Sequence, residues 1–151
     1  MHNPDWEKPI DPAAPLPFSL KGWVDLAPYE RTLGMTIESF GKGEAVLAMP
    51  FTIKLAQGKG ILHGGALTSL ADSAAAMAIK TLLPQDTHFA TVSLETRFLA
   101  PVVKGVVTAH AGAGPAGNKD RMFQAEVMIR DENGKNVAVF SSLFKVAKGQ
   151  L

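Results

Sequence analysis

The chain contains no cysteine among its 151 residues, which excludes disulfides, thiolate metal sites and cysteine nucleophiles together. That absence is compatible with a reducing compartment. An excess of one charge is missing too: 15 Lys and Arg stand against 14 Asp and Glu, a formal net charge of +1. The basic residues are scattered, with no stripe interleaved with aromatics, so no nucleic-acid partner is expected. The opening MHNPDWEKPIDPAAPLPF has acids and prolines where a secretory leader needs a basic start and an apolar run, so the expected location is cytoplasmic. The window Gly64–Leu83 has the length of a membrane span but is mostly alanine and carries Thr68, Ser69, Asp72, Ser73, Lys80 and Thr81. It reads as a core helix, and no membrane partner is expected. His88 and His110 lack metal-ligand spacing to other histidines or acids, so no metal is expected either.

What remains is an ordinary globular composition, 46% hydrophobic and 19% charged, in a length that suits one domain. Residues 1–17, rich in proline and polar groups, read as an extended lead-in to a single domain over 18–151. Phe18 to Tyr29 has the spacing of one short amphipathic helix. Arg31–Phe40 and Glu44–Phe51 read as strands joined at Gly41-Lys42-Gly43, with a loop over Thr52–Leu62. Leu83-Pro84-Gln85-Asp86 stops the long helix, because a proline disfavours helix at the residue before it. Four more strands are predicted at Phe89–Leu99, Gly105–Ala113, Arg121–Arg130 and Asn136–Ala147. Both faces of the last are apolar around Val137–Phe144, which predicts an interior place in the sheet. Two strands, one helix and four strands form an α+β fold: one antiparallel sheet of about six strands that buries the helix by curling around it.

Gly112-Ala113-Gly114-Pro115-Ala116-Gly117 matches the GxGxxG dinucleotide fingerprint in letters only. The fingerprint needs its glycines to open a helix whose amino end receives the pyrophosphate. Here Pro115 and Asn118-Lys119-Asp120 lead into another strand, so a hairpin is expected.

Ile61 to Lys80, ILHGGALTSLADSAAAMAIK, reads as a helix buried on every side, yet holds the carboxylate Asp72 among Leu70, Ala71, Ala74, Ala75 and Ala76. Burying an ionised carboxylate without compensation is costly. Asp72 is therefore either a structural acid bonded to Thr68, Ser69 or Arg97, or a functional base. His63-Gly64-Gly65 marks the start of the helix, where free N–H groups and the positive dipole end can polarise a carbonyl. Glycine there lets a ligand reach the peptide N–H, although glycine also permits tight helix–sheet packing. Gly64 and Asp72 lie eight residues apart, about 12 Å of helix rise, too far for one small reacting group to touch both in one chain. Two copies with antiparallel long helices solve this, since the Asp72 of one then approaches the helix start of the other.

Gln57, His63-Gly64-Gly65, Leu70-Ala71-Asp72, Val92-Ser93-Leu94-Glu95 and Phe98-Leu99-Ala100-Pro101 together resemble the PaaI-type branch of the hotdog-fold acyl-CoA thioesterases, within the 4-hydroxybenzoyl-CoA thioesterase superfamily. The resemblance covers roughly Leu33 to Val146. It implies a hotdog fold, a curved sheet around Gly64–Leu83, assembled into homodimers that often pair into homotetramers. It implies that the Gly64 N–H polarises the thioester carbonyl and that Asp72 of the partner chain acts as general base or nucleophile. Gln57 would position the carbonyl or the water, Ser93 would lie beside Asp72, and His63 would brace the loop–helix junction, with Gly65 next to it at the substrate. Lys104, Lys119 and Arg121 are candidates for the phosphates of coenzyme A, which would enter as part of the substrate and not as a cofactor. The expected activity is hydrolysis of an aryl- or medium-chain acyl-CoA. The competing readings are a non-catalytic acyl-CoA-binding or sensing protein and a hotdog hydratase or dehydratase.

Overall fold

The computed structural model describes residues 3–151; Met1 and His2, the first residues of the expected lead-in, lie outside the described residues. From Asn3 to Ala27 the chain has little regular structure beyond a 3-10 turn at Pro4–Glu7, where the Asn3 side chain accepts the Asp5 N–H at 2.9 Å. The helix predicted over Phe18–Tyr29 is instead a five-residue helix α1 at Pro28–Thr32. Pro28 decides this: proline is accommodated in the first helical turn, and it pushes Ala27 into an extended conformation that a helix running through it could not have. Because α1 takes up Arg31 and Thr32, the first strand starts later than predicted, at Thr36.

The strands are β1 (Thr36–Gly41), β2 (Glu44–Pro50), β3 (Phe89–Phe98), β4 (Val106–Pro115), β5 (Met122–Arg130) and β6 (Asn136–Val146). They form one antiparallel sheet in the order β1-β2-β4-β5-β6-β3. β6 is interior, as its two apolar faces require, and β3 closes one edge with no further strand beside it among the described residues. The GxGxxG segment is a hairpin: β4 continues through it, pairs as far as Pro115↔Phe123, and turns into β5 without opening a helix.

Helix α2 (Gly64–Lys80) sits against the sheet and touches all six strands. Leu70, Ala71, Ala74, Ala75, Ala78 and Ile79 are wholly buried there, against Leu47, Met49, Ile129, Phe140 and Phe144. The run of alanines makes this close approach possible, because each removes a side chain that would hold sheet and helix apart and each favours the helix. The helix ends at Lys80, three residues before the predicted end, and the Thr81 hydroxyl caps it by donating to the Ala78 carbonyl at 2.7 Å.

The expectation of burial on every side is corrected. Gly65, Thr68, Ser69, Asp72 and Ala76 form a stripe on α2 that is exposed or only half-buried. Their spacing of three and four residues is one helix face. Alanine and glycine carry so little side chain that apolar patterning alone does not separate this face from the one on the sheet.

Candidate active site

The amino end of α2 is fixed by His63. Its Nδ1 accepts the Gly65 N–H at 2.8 Å, and its carbonyl accepts the N–H of Ala66 at 3.0 Å and of Leu67 at 3.3 Å. Accepting at Nδ1 places the ring proton on Nε2. A side chain at Gly65 would bring its Cβ to 2.9 Å from that Nδ1, so the cap itself demands glycine. With these bonds made, the Gly64 N–H has no acceptor among the described residues. It is the donor that the first turn leaves free, at the positive end of a 17-residue helix. A Cβ at Gly64 would lie 3.0 Å from the Phe98 ring, so Phe98 borders this first turn. Gly65, although exposed, has no free N–H to offer, because His63 takes it up.

A cavity of about 340 Å³ opens at this point, lined by Gly64, Gln57, Leu67, Phe98, Leu99 and Val102 among others. Gln57 is held there by a tight loop in which its N–H donates to the Ile61 carbonyl at 2.8 Å, and its carbonyl accepts the Gly60 N–H at 2.9 Å. Its side-chain oxygen accepts the Lys59 N–H, which leaves the amide group for a ligand. Gly64 and Gln57 are thus together in one chain, within walls that are mostly apolar.

Asp72 is not in that cavity. It is half-buried on the exposed stripe of α2, and its Oδ1 accepts a hydrogen bond from Thr91 Oγ1 at 2.9 Å. Burial pushes its carboxyl above the usual carboxylate range, and the Thr91 hydrogen bond opposes the shift in part. None of the three partners considered from the sequence holds it. Thr68 pairs with Thr96 at 2.9 Å, Ser69 donates to the Gly65 carbonyl at 2.8 Å, and Arg97 belongs to the opposite face of the sheet.

Ser93 is also corrected, since the hydroxyl beside Asp72 belongs to Thr91. Strict alternation puts residues 91 and 93 on one face of a strand. β3 breaks the alternation with a register shift at Val92: Thr91 pairs with the buried Phe144, whereas Ser93 pairs with Leu143. Ser93, Glu95 and Arg97 therefore face away from the helix. Ser93 lines a separate groove of about 380 Å³ with Glu95, Gln124, Glu126 and Ser141. No signal in the sequence announces that bulge.

Of the three basic candidates, Lys104 and Arg121 stand at opposite ends of β3. Lys104 is exposed in the loop after β3 and lines a cavity of about 440 Å³ with Phe51, Ile53 and Gly60, near the Gln57 loop. Arg121 stands at the other end of β3, where its guanidinium donates to the Val146 carbonyl at 3.0 Å and lies 3.7 Å from Asp120. Its first duty is structural, and one phosphate cannot meet both residues in a single chain. Lys119 is exposed in the β4–β5 turn, His110 is exposed on β4, and His88 is exposed just before β3.

An N–H held free at a helix start, an amide beside it, and a perturbed carboxylate further along the same helix are the parts for attack on an activated carbonyl. Residues 59–138, just over half of the chain, match the model of the thioesterase superfamily. The chain belongs to the thioesterase superfamily. It is 33% identical over 120 residues to a 1,4-dihydroxy-2-naphthoyl-CoA hydrolase of Listeria monocytogenes, covering 79% of this chain and 95% of the relative. The PaaI protein of the E. coli phenylacetic acid degradation operon superimposes with a TM-score of 0.73 at 28% identity, over 82% of this chain and 87% of its own. A mutant of the phenylacetic acid degradation protein PaaI from Thermus thermophilus does so with a TM-score of 0.70 at 29% identity, over 79% and 98%. This thioesterase therefore has the PaaI-like hotdog fold, and its class of chemistry is thioester hydrolysis.

Proposed function

We propose that the protein hydrolyses an aryl- or medium-chain acyl-CoA to the carboxylic acid and free coenzyme A, at two equivalent sites shared between the protomers of a homodimer. The observation that carries this reading is the division of the parts: the free Gly64 N–H and Gln57 share one cavity, while Asp72 stands eight residues on along an uncovered helix face. The edge of β3 is ten residues long, unpaired among the described residues, and carries the exposed apolar side chains of Val92, Leu94, Phe98 and Leu99 beside it. Such an edge invites pairing with another strand. Thr91, which holds Asp72, is near the start of β3, and Phe98, which borders Gly64, is at its end. Antiparallel pairing of two β3 strands about an axis near Leu94 and Glu95 sets each Thr91 across from the partner's Phe98. The Asp72 of one protomer then faces the Gly64 N–H of the other.

In such a site the thioester oxygen accepts from the Gly64 N–H, with Gln57 orienting it. Asp72 Oδ1 is held by Thr91, and its other oxygen takes a proton from water as the water adds to the carbonyl carbon. Collapse of the tetrahedral intermediate breaks the carbon–sulfur bond, and the departing thiolate recovers the proton. Donor and base contribute about 10²–10³-fold and about 10²–10⁴-fold respectively in comparable sites. Lys104 lies on the Gly64 side of the cleft and is the better placed cation for the coenzyme A phosphates.

The test is thiol release from a panel of phenylacetyl, hydroxybenzoyl and medium-chain acyl-CoAs by the native protein and by Asp72→Asn. Activity in the native protein and its loss in the variant support the reading; equal turnover by both makes Asp72 structural. Binding of acyl-CoA without thiol release by either form would favour a sensing protein. A single turnover in heavy-oxygen water separates base from nucleophile, since only a nucleophilic Asp72 acquires label. A monomer with full activity would refute the shared site.

A further inference from the structure

The residues before β1 are tied to the flank of α2 that β3 leaves free. Trp23 Nε1 donates to the Lys80 carbonyl at 2.9 Å, Lys80 Nζ donates to the Trp23 carbonyl at 3.0 Å, and the Trp23 ring meets Phe89 edge-on at 6.5 Å. Two turns earlier in the helix, Ser73 Oγ donates to Glu30 at 3.2 Å. One turn earlier again, the Tyr29 hydroxyl lies 2.7 Å from Ser69 Oγ. Ser69 donates its single hydroxyl proton to the Gly65 carbonyl at 2.8 Å, so Tyr29 is the donor of this pair. On the other flank, Thr68 and Asp72 are bonded to β3 through Thr96 and Thr91. The exposed stripe of α2 is therefore the floor of a trough with β3 as one wall and the segment from Trp23 to Glu30 as the other.

Tyr29 is the conspicuous member of the second wall. It is anchored at its hydroxyl, yet 59% exposed, so a locked aromatic ring stands bare over the reacting stretch of the helix. Ser69 lies five residues after Gly64 and three before Asp72, about 7.5 Å and about 4.5 Å along the axis. Phe98, 56% exposed, is the corresponding bare ring at the Gly64 end.

We propose that Tyr29 is a specificity-determining residue, whose ring forms the wall of the acyl pocket on the Asp72 side and selects flat, apolar acyl groups. The proposal rests on the shared-site reading above: each site would then combine Asp72 and Tyr29 of one protomer with Gly64 and Phe98 of the other, and the acyl group lies between two rings. A planar acyl group fills that slot with face contact on both sides, whereas an acetyl group reaches neither ring. The hydroxyl of Tyr29 does not touch the reacting atoms; it fixes the ring.

The experiment compares kcat/KM for phenylacetyl-CoA and acetyl-CoA in the full-length native protein, Tyr29→Ala, Tyr29→Leu and Tyr29→Phe. The preference for phenylacetyl-CoA should fall about tenfold or more in the alanine and leucine variants, through the phenylacetyl value alone, and stay within about threefold of native in the phenylalanine variant. Should the alanine variant not fold, the leucine variant, which keeps the apolar bulk, carries the comparison. On the Asp72→Asn background, calorimetry with free coenzyme A and phenylacetyl-CoA should show Tyr29→Leu weakening only the latter. An unchanged preference, or an equal loss for both substrates, would overturn the assignment of Tyr29. Full turnover by Asp72→Asn would instead overturn the underlying reading, and the two failures are thereby told apart.

Discussion

Helix α2 has two faces that obey different rules. The face on the sheet holds Leu70, Ala71, Ala74, Ala75 and Ala78 at zero exposure, and every one of them serves packing. The face turned away holds Gly65, Thr68, Ser69, Asp72 and Ala76, among which sits a carboxylate that burial makes harder to ionise. The first face is what a helix does for stability; the second gives up some of that stability to hold the carboxylate to which the shared-site proposal assigns proton transfer. Substitutions on the two faces should therefore separate activity from stability.

The largest separation is expected at Asp72→Asn, with kcat lowered about 10²–10⁴-fold and the fold retained. Since the folded-state pKa of Asp72 is raised above its ordinary value of 3.8, the folded protein binds this proton more tightly than the unfolded chain does. Its stabilising contribution is complete below that value and is lost as the pH rises through the raised one. At neutral pH the ionised carboxylate is a net burden, so the asparagine variant should melt no lower than the native protein, and higher if the burden is appreciable. That advantage should fade as the pH falls to about 4, which thermal melts across pH will show.

The opposite signature is expected at Leu70→Ala on the sheet face, where denaturant unfolding should show a loss of about 2–5 kcal/mol with kcat of the folded fraction unchanged. A loss of kcat comparable to that of Asp72→Asn would break the division between faces. Gly64→Ala should lower kcat/KM about 10- to 100-fold, because the new methyl must displace the Phe98 ring beside the N–H proposed as oxyanion donor. With acetyl-CoA, which reaches neither ring, adding Phe98→Ala should restore part of the rate lost to crowding. The smallest effect belongs to Thr91→Val. Removing the hydrogen bond that opposes desolvation raises the Asp72 pKa further, so the acid limb of the kcat/KM profile should move to higher pH, with less than about a tenfold loss at neutral pH.

The order of the elements and two of the site's parts are legible in the order of residues alone. The alternating strands, the alanine-rich helix and its proline stop establish the order of elements, because each depends on local patterning. His63-Gly64-Gly65 and Asp72 stand out because a glycine pair at a helix start and an acid among alanines are locally improbable. The sequence misleads wherever a contact between distant segments sets the outcome. A bulge at Val92 moves Ser93 off the Asp72 face and gives its place to Thr91. The Val146 carbonyl, twenty-five residues on, engages Arg121. Tyr29 carries no motif at all, and its bond to Ser69, forty residues on, sets its ring beside the helix.

By itself the sequence determined which segments form strands, where the long helix begins and ends to within a few residues, and which helix holds the donor and the acid, since these follow from propensity, capping and period. Only the tertiary structure decided which face of that helix stays open, which hydroxyl holds Asp72, and which residues of the leading segment wall the trough. Those outcomes turn on strand register and on contacts between residues distant in the chain, where one inserted residue reverses the direction of every side chain that follows.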